Sequence, residues 1–177
     1  LGRHIFSSAA FYQNFNLLNE SGYFDQNVIY KPLLHLWSLG IEEQFYLIWP
    51  LILWIGYKNR INPIISIGVL GLISFCINLI HTEQNQIIAF YSSPARFWEL
   101  LMGALLAWCM LSSQSTILFR NSSLIGLGLI IIGGLLVDAT SAFPGWWALL
   151  PTVGAFLIIS EGSNGILNRG MLSSKVL

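Results

Sequence analysis

The chain is built from apolar runs near twenty residues long, separated by short polar turns. No other feature limits its fold as much. The runs cover residues 36–57, 61–80, 94–111, 124–137 and 146–160. A helix needs about 20 mostly apolar residues to cross roughly 30 Å of hydrocarbon, so all five are expected to be spans, the last two short or tilted. FSSAAFYQNFNLL, near the start, reads as a weaker amphipathic or partial span. Charged residues make up 9% of the 177 and hydrophobic ones 55%, against about a quarter charged in a soluble domain. The expected fold is an all-α integral membrane protein, a bundle of about five transmembrane helices. It forms one membrane domain, 1–177, within a larger helical whole. Zero formal net charge argues against nucleic acid, whose phosphates require clustered Lys and Arg. Cys76 and Cys109 lie inside apolar runs without metal-ligand spacing, so they read as small hydrophobes and no metal site is expected.

Basic residues in short loops set orientation. Lys58, Arg60, Arg120, Arg169 and Lys175 collect on one side; Glu20, Asp25, Lys31, Glu83 and Asp138 collect on the other. The first side is expected to be cytoplasmic. The helix that starts near His35 then runs from outside to inside, and the polar turn at residues 58–60 returns the chain as an antiparallel hairpin.

Against that background HLWSLGIEEQFYLIWP, residues 35–50, is anomalous. At about 100° per residue, His35, Ser38, Leu39, Glu42, Tyr46 and Trp49 share one face. Glu43 lies to one side and Gln44 points the opposite way. A carboxylate in hydrocarbon faces a partner, a cavity or a pathway, or stays protonated. The residues alone leave these open, and they equally allow a helix–helix clasp to an Arg. A partner is at hand in SSPARFWELLMGALLA, which enters from the same side with Arg96 and Glu99 at i and i+3. A cluster of Arg96, His35 and up to three glutamates around one cavity is expected. In it His35, Glu42, Glu43 and Arg96 are candidate catalytic groups, and Ser38, Tyr46 and Glu99 candidate substrate-binding groups. A positioned His or Glu suits proton transfer, and a fixed Arg suits developing negative charge. Trp37, Trp49, Trp98, Trp146 and Trp147 are assigned to interfacial belts or core packing.

PLLHLWSLGIEEQFYLIWPLIL resembles the signature helix of the acyltransferase-3 family of integral membrane acyltransferases. SPARFWELLMGALLAW resembles that family's Arg-x-x-Glu-Leu-x-x-Gly segment. FPGWWALLPTVGAFLIIS resembles its Pro-Gly-containing late span, and YFDQNVIYKPLLH the loop before the signature. The matching signature residues are His35, Trp37, Ser38, Glu42, Glu43, Gln44, Phe45 and Tyr46, then Arg96 and Glu99. The resemblance implies a multi-pass enzyme of the bacterial inner (cytoplasmic) membrane, surrounded by membrane lipid. It would bind no resident cofactor and would take acyl-CoA, in practice acetyl-CoA, as co-substrate. Its acceptor would be a hydroxyl of a surface glycan or lipid-linked sugar, such as lipopolysaccharide O-antigen. The family's histidine-bearing first span would precede Leu1 and its late Ser-Tyr…Trp-His segment would follow Leu177. The chain is therefore expected to be an internal fragment, truncated at both ends and inactive alone. A proton-coupled transporter or channel relaying protons through intramembrane carboxylates is the alternative, although no internal duplication of the transporter kind is visible. A purely structural remnant is a third reading.

Overall fold

The computed structural model describes residues 2–20, 35–112, 122–138 and 141–162. Among them the chain is helical, with no strand. It divides into two compact units, Leu1–Leu101 and Met102–Leu177.

In the first unit, α1 (Gly2–Ala9) and α2 (Gln13–Glu20) replace the expected partial span. They are separated by a break at Phe11, whose φ is +56°. Their buried faces are largely polar: beside Leu17, at 1%, Ser7, Gln13, Asn14 and Asn16 are each at most 2% exposed. Ser7 donates to Gln13 Oε1, and Asn16 Nδ2 donates to Ser7 Oγ at 3.3 Å.

α3 (Leu36–Lys58) follows. Arg60, at φ +58°, reverses the chain, and Ile61 N–H reaches back to Gly56 O at 2.8 Å. α4 (Pro63–Gln84) begins where Asn62 Oδ1 accepts from Ile64 N–H at 3.1 Å, with Pro63 at the first helical position. There its missing N–H costs little. The α3–α4 hairpin is thus as expected, but α4 starts two residues later than the apolar run and extends past it. Asn85 ends it and caps the short helix α5 (Gln86–Tyr91) by accepting from Ile87 N–H.

α6 (Ser93–Ser112) starts in the first unit and continues into the second. Its first turn is held by α4: Ser74 Oγ donates to Pro94 O at 2.6 Å and accepts from Trp98 N–H at 2.9 Å. One hydroxyl therefore bridges the two groups of an i, i+4 backbone pair, a side-chain insertion into the helical ladder. Trp98 stacks edge-on to Phe75 at 5.0 Å, and Phe45 of α3 meets Phe97 of α6 at 5.5 Å.

The second unit holds an antiparallel helix pair, α7 (Ser122–Leu136) and α8 (Leu149–Ser160), the latter preceded by a 3₁₀ turn at Trp146–Ala148. They cross where a Cβ on Gly126 would stand 2.4 Å from Gly154 O, and one on Gly154 2.7 Å from Gly126 O. Small residues at a helix crossing allow this backbone approach. Ser122 Oγ donates to Leu157 O, and Ser123 N–H donates to Glu161 Oε2 at 2.7 Å, tying the start of α7 to the end of α8.

Pro63–Gln84 and Ser93–Ser112 are the two described helices long and apolar enough to cross a membrane. α3 has the length, but Glu42, Glu43 and Gln44 dilute its apolar character. α7 is a shorter apolar helix, as is the stretch Trp146–Ser160. Outward faces are nonetheless apolar: Leu47 is 75% exposed, Leu72 68% and Leu135 78%. Large apolar side chains exposed along helix after helix fit a membrane protein better than a monomer in water. Among the charges used for orientation, Asp25, Lys31, Arg120, Arg169 and Lys175 lie outside the described residues.

Candidate active site

Two stretches meet in the first unit: the beginning of α3 and the first turns of α6, with α5 beside them. The Trp37 and Phe90 rings lie 4.5 Å apart, and Tyr91 packs edge-on to Trp37 at 5.5 Å. Arg96 enters this aromatic group, its Cζ 5.4 Å from the Trp37 ring and 5.6 Å from the Phe90 ring. Its Nη2 donates to Glu99 Oε2 at 2.6 Å, from one turn further along α6. Both side chains are about four-fifths buried. A guanidinium held by two ring faces and a carboxylate loses most of its freedom, and desolvated cation–π contacts reach about 2 kcal/mol.

Beside this group is a polar cavity of about 70 Å³, lined by Trp37, Ser38, Ile41, Glu42, Arg96 and Glu99. Ser38 and Glu42 reach it from α3 at i and i+4. Glu42 has no hydrogen-bond or ion-pair partner among the described residues. Glu99 Oε1 is also buried and without a hydrogen-bond partner among them. The two carboxylates therefore differ: one neutralises and fixes Arg96, and the other stands free across the cavity.

A second cavity, about 160 Å³, lies between α3, α4 and α6. Phe45, Trp49, Ile73, Ile77 and Phe97 line it, and its one hydroxyl, Ser74, is engaged by the α6 backbone. It offers no acid, base or nucleophile.

The expected cluster is thus assembled in part. Ser38, Glu42, Arg96 and Glu99 come together; His35, Glu43 and Tyr46 do not line the cavity. His35 is exposed at the α3 N-cap. It shares the Glu42 face but stands two turns before it, about 10 Å along the axis. Tyr46 is 57% exposed. The face of α3 that meets α6 is centred on Ile41 and Phe45, so a residue one turn beyond Glu42 on its other flank turns outward. Glu43 is half-buried, away from the cavity.

Sequence reasoning missed Trp37 and Phe90 as the seat of Arg96. Trp37 had been assigned to belt or packing, and Phe90 lies in a helix no apolar run announced. Among the described residues, no three His, Cys, Asp or Glu side chains are grouped to hold a metal. Cys76 and Cys109 are free thiols.

No family model and no solved structure matches the chain. An uncharacterized protein of Haemophilus influenzae is 34% identical over 168 aligned residues, covering 87% of this chain and 68% of that protein. The peptidoglycan O-acetyltransferase OatA of Listeria monocytogenes is 35% identical over 99 residues, 52% of this chain and 16% of that enzyme. The O-acetyltransferase OatA of Staphylococcus aureus is 40% identical over 92 residues, 49% of this chain and 15% of that enzyme. The chain therefore spans about two thirds of the first relative, and its matching half about a sixth of each of the other two.

Proposed function

We propose, from the premise that the chain belongs to one family with the Haemophilus influenzae protein and shares half its length with named O-acetyltransferases, that it is part of a membrane O-acyltransferase. The reaction moves an acyl group, acetyl in the simplest case, from acyl-CoA to a hydroxyl of a cell-envelope glycan. The acceptor expected from the sequence was O-antigen. The name of the Listeria relative turns the choice toward a peptidoglycan-type sugar. The five apolar helices are read as spans of a multi-pass protein of the cytoplasmic membrane, with lipid against their exposed faces.

The observation that carries this reading is the split role of the carboxylates around Arg96. Glu99 is bound to the guanidinium and Glu42 is free, and both border one small cavity. In that cavity Glu42 takes the proton of the acceptor hydroxyl as its oxygen bonds to the thioester carbonyl carbon. Arg96, preset by Trp37, Phe90 and Glu99, stabilises the negative charge gathering on the carbonyl oxygen. The C–S bond then breaks, and the proton passes to the departing CoA sulfur, leaving ester and thiol. General-base catalysis supplies about 10²–10⁴-fold and a preset donor to an oxyanion about 10²–10³-fold.

The test is transfer of labelled acetyl from acetyl-CoA to glycan by the intact protein at matched membrane abundance. Glu42→Gln is expected to lower turnover by about 10²-fold or more. Arg96→Lys should do comparable harm, since an ammonium has no planar face to lie against the two rings while it donates to Glu99. Undiminished transfer in both variants would sink the reading.

A further inference from the structure

We propose that Asn14, Gln44 and Ser93 form a positioning clamp that sets the register of α3 against α6, and with it the placement of Glu42 relative to Arg96. Its catalytic consequence rests on the acyltransferase reading; its structural consequence does not.

Gln44 lies two residues after Glu42 on α3, and Ser93 three residues before Arg96 on α6. The two are bonded directly, Ser93 Oγ donating to Gln44 Oε1. Gln44 Nε2 donates to Phe11 O at 2.8 Å and to Asn14 Oδ1 at 3.0 Å. Asn14 Nδ2 donates to Tyr91 O at 3.1 Å and to Ser93 Oγ at 2.9 Å. Both hydrogens of each amide are thus used, and each amide oxygen accepts. Asn14 is fully buried and Ser93 is 2% exposed.

This closure permits one arrangement. Phe11 O and Tyr91 O are backbone acceptors and cannot donate. Turning the Gln44 amide over would face its oxygen to Phe11 O and Asn14 Oδ1. Turning the Asn14 amide would face its oxygen to Tyr91 O. A slip of α3 by one turn, about 5 Å, would break all three Gln44 bonds at once and leave the buried Asn14 Oδ1 and Ser93 hydroxyl without those partners.

The break between α1 and α2 completes the seat. Gly40 meets it closely: a Cβ there would stand 3.1 Å from Phe11 O and 3.4 Å from Asn14 Oδ1. Gln44 then satisfies the carbonyl of the left-handed residue Phe11. The N-terminal helices contribute nothing to the cavity lining, yet they hold both of its walls. A misplacement near 1 Å can cost about 10²-fold in rate, so this indirect hold is where a positioning effect should appear.

The experiment uses the intact protein in membranes with Cys76 and Cys109 replaced by Ser. One cysteine pair, Ser38→Cys on α3 with Leu100→Cys on α6, both lining the cavity, reports its walls through a short bis-maleimide. A second, Gly56→Cys with Ser66→Cys, reports the far end of the α3–α4 hairpin, where a Gly56 Cβ would lie 3.6 Å from Ser66 Oγ. Gln44→Ala and Ser93→Ala are each expected to lower the yield of the first pair several-fold and leave the second unchanged. Tested without the cysteine pairs, each is expected to reduce kcat for acetyl transfer by about 10–100-fold at unchanged KM. The double variant should be no worse than the poorer single one, as for members of one network.

If Gln44→Ala lowers both pairs together, Ser93→Ala, which deletes one hydroxyl, decides. A selective fall of the first pair supports the clamp. Unchanged yields, or a second loss of both pairs, overturn it. Independent, additive losses in the double variant also overturn it. A selective cross-linking change with no acetyl transfer by the parent protein would retain the clamp and reject the acyltransferase reading.

Discussion

At Arg96 a charge inside an apolar chain is made tolerable by three neighbours at once. The guanidinium has Glu99 for its charge and Trp37 and Phe90 for its faces. The Arg96–Glu99 pair was legible in sequence because i, i+3 residues are helix neighbours. Glu42 was legible because the helical wheel separates it from Glu43. Phe90 was not, since it reaches Arg96 only through the turn between α5 and α6, and no periodicity encodes that turn. His35 and Tyr46 share the Glu42 face on the wheel yet do not line the cavity: a shared face on an ideal wheel fixes neither depth nor which flank meets the next helix. The division of roles between the carboxylates carries a consequence for Glu99. Replacing it by Gln removes the charge that restrains Arg96, and the nearest remaining carboxylate bordering the cavity is Glu42. The guanidinium should then pair with the proposed base and occupy its lone pairs. Glu99→Gln is accordingly expected to cost turnover on the scale of Glu42→Gln, about 10²-fold, although Glu99 itself takes no proton from substrate. Initial-rate acetyl transfer at saturating donor distinguishes this from a loss of binding. A full rate in Glu99→Gln would refute the assignment.

At the scale of elements, all five apolar runs are helices, because runs of this length bury their backbone polar groups only by internal hydrogen bonding. Their ends were less legible. Asn62 and Pro63 set the start of α4 by capping, and Asn85 caps a helix where polar residues suggested only a loop. The N-terminal partial span divides at Phe11 because its amides form a polar interior that composition averages away. The α7–α8 pair shows how a glycine-rich run is read. Gly126 and Gly154 face each other, whereas Gly128, on the same helix as Gly126, has nothing within 4 Å of an added Cβ. Gly126→Ala forces the helices apart and is expected to cost about 1–3 kcal/mol. Gly128→Ala meets no obstacle and gains helix propensity, at most about 1 kcal/mol. Thermal denaturation in detergent, followed by helicity, should therefore place the two variants on opposite sides of the parent. Equal melting of both would refute the crossing.

At the scale of the whole molecule, a bilayer would link the exposed apolar faces to the polar cavity. Tyr57, 85% exposed at the end of α3 beside Lys58, lies at the basic end of the α3–α4 hairpin. The Arg96 group lies at the other end, near the start of α6. On the proposed function, the positive-inside bias would put residues 58–60 in the cytoplasm and the cavity toward the outer leaflet, where a glycan hydroxyl would arrive. This orientation is not a detail of the proposed chemistry. With the hairpin reversed, the same side chains would face the cytoplasm, and an envelope glycan would have no route to Glu42. In a background with Cys76 and Cys109 replaced by Ser, Asn59→Cys is expected to resist a membrane-impermeant maleimide in intact cells and to react after permeabilisation. Asn85→Cys, at the opposite end of α4, is expected to react without permeabilisation. The reverse pattern would remove the acceptor from reach and with it the reading of Glu42 as the base for an external sugar. It would leave the aromatic seat of Arg96 unchanged, since Trp37, Phe90 and Glu99 hold the guanidinium whichever leaflet they occupy.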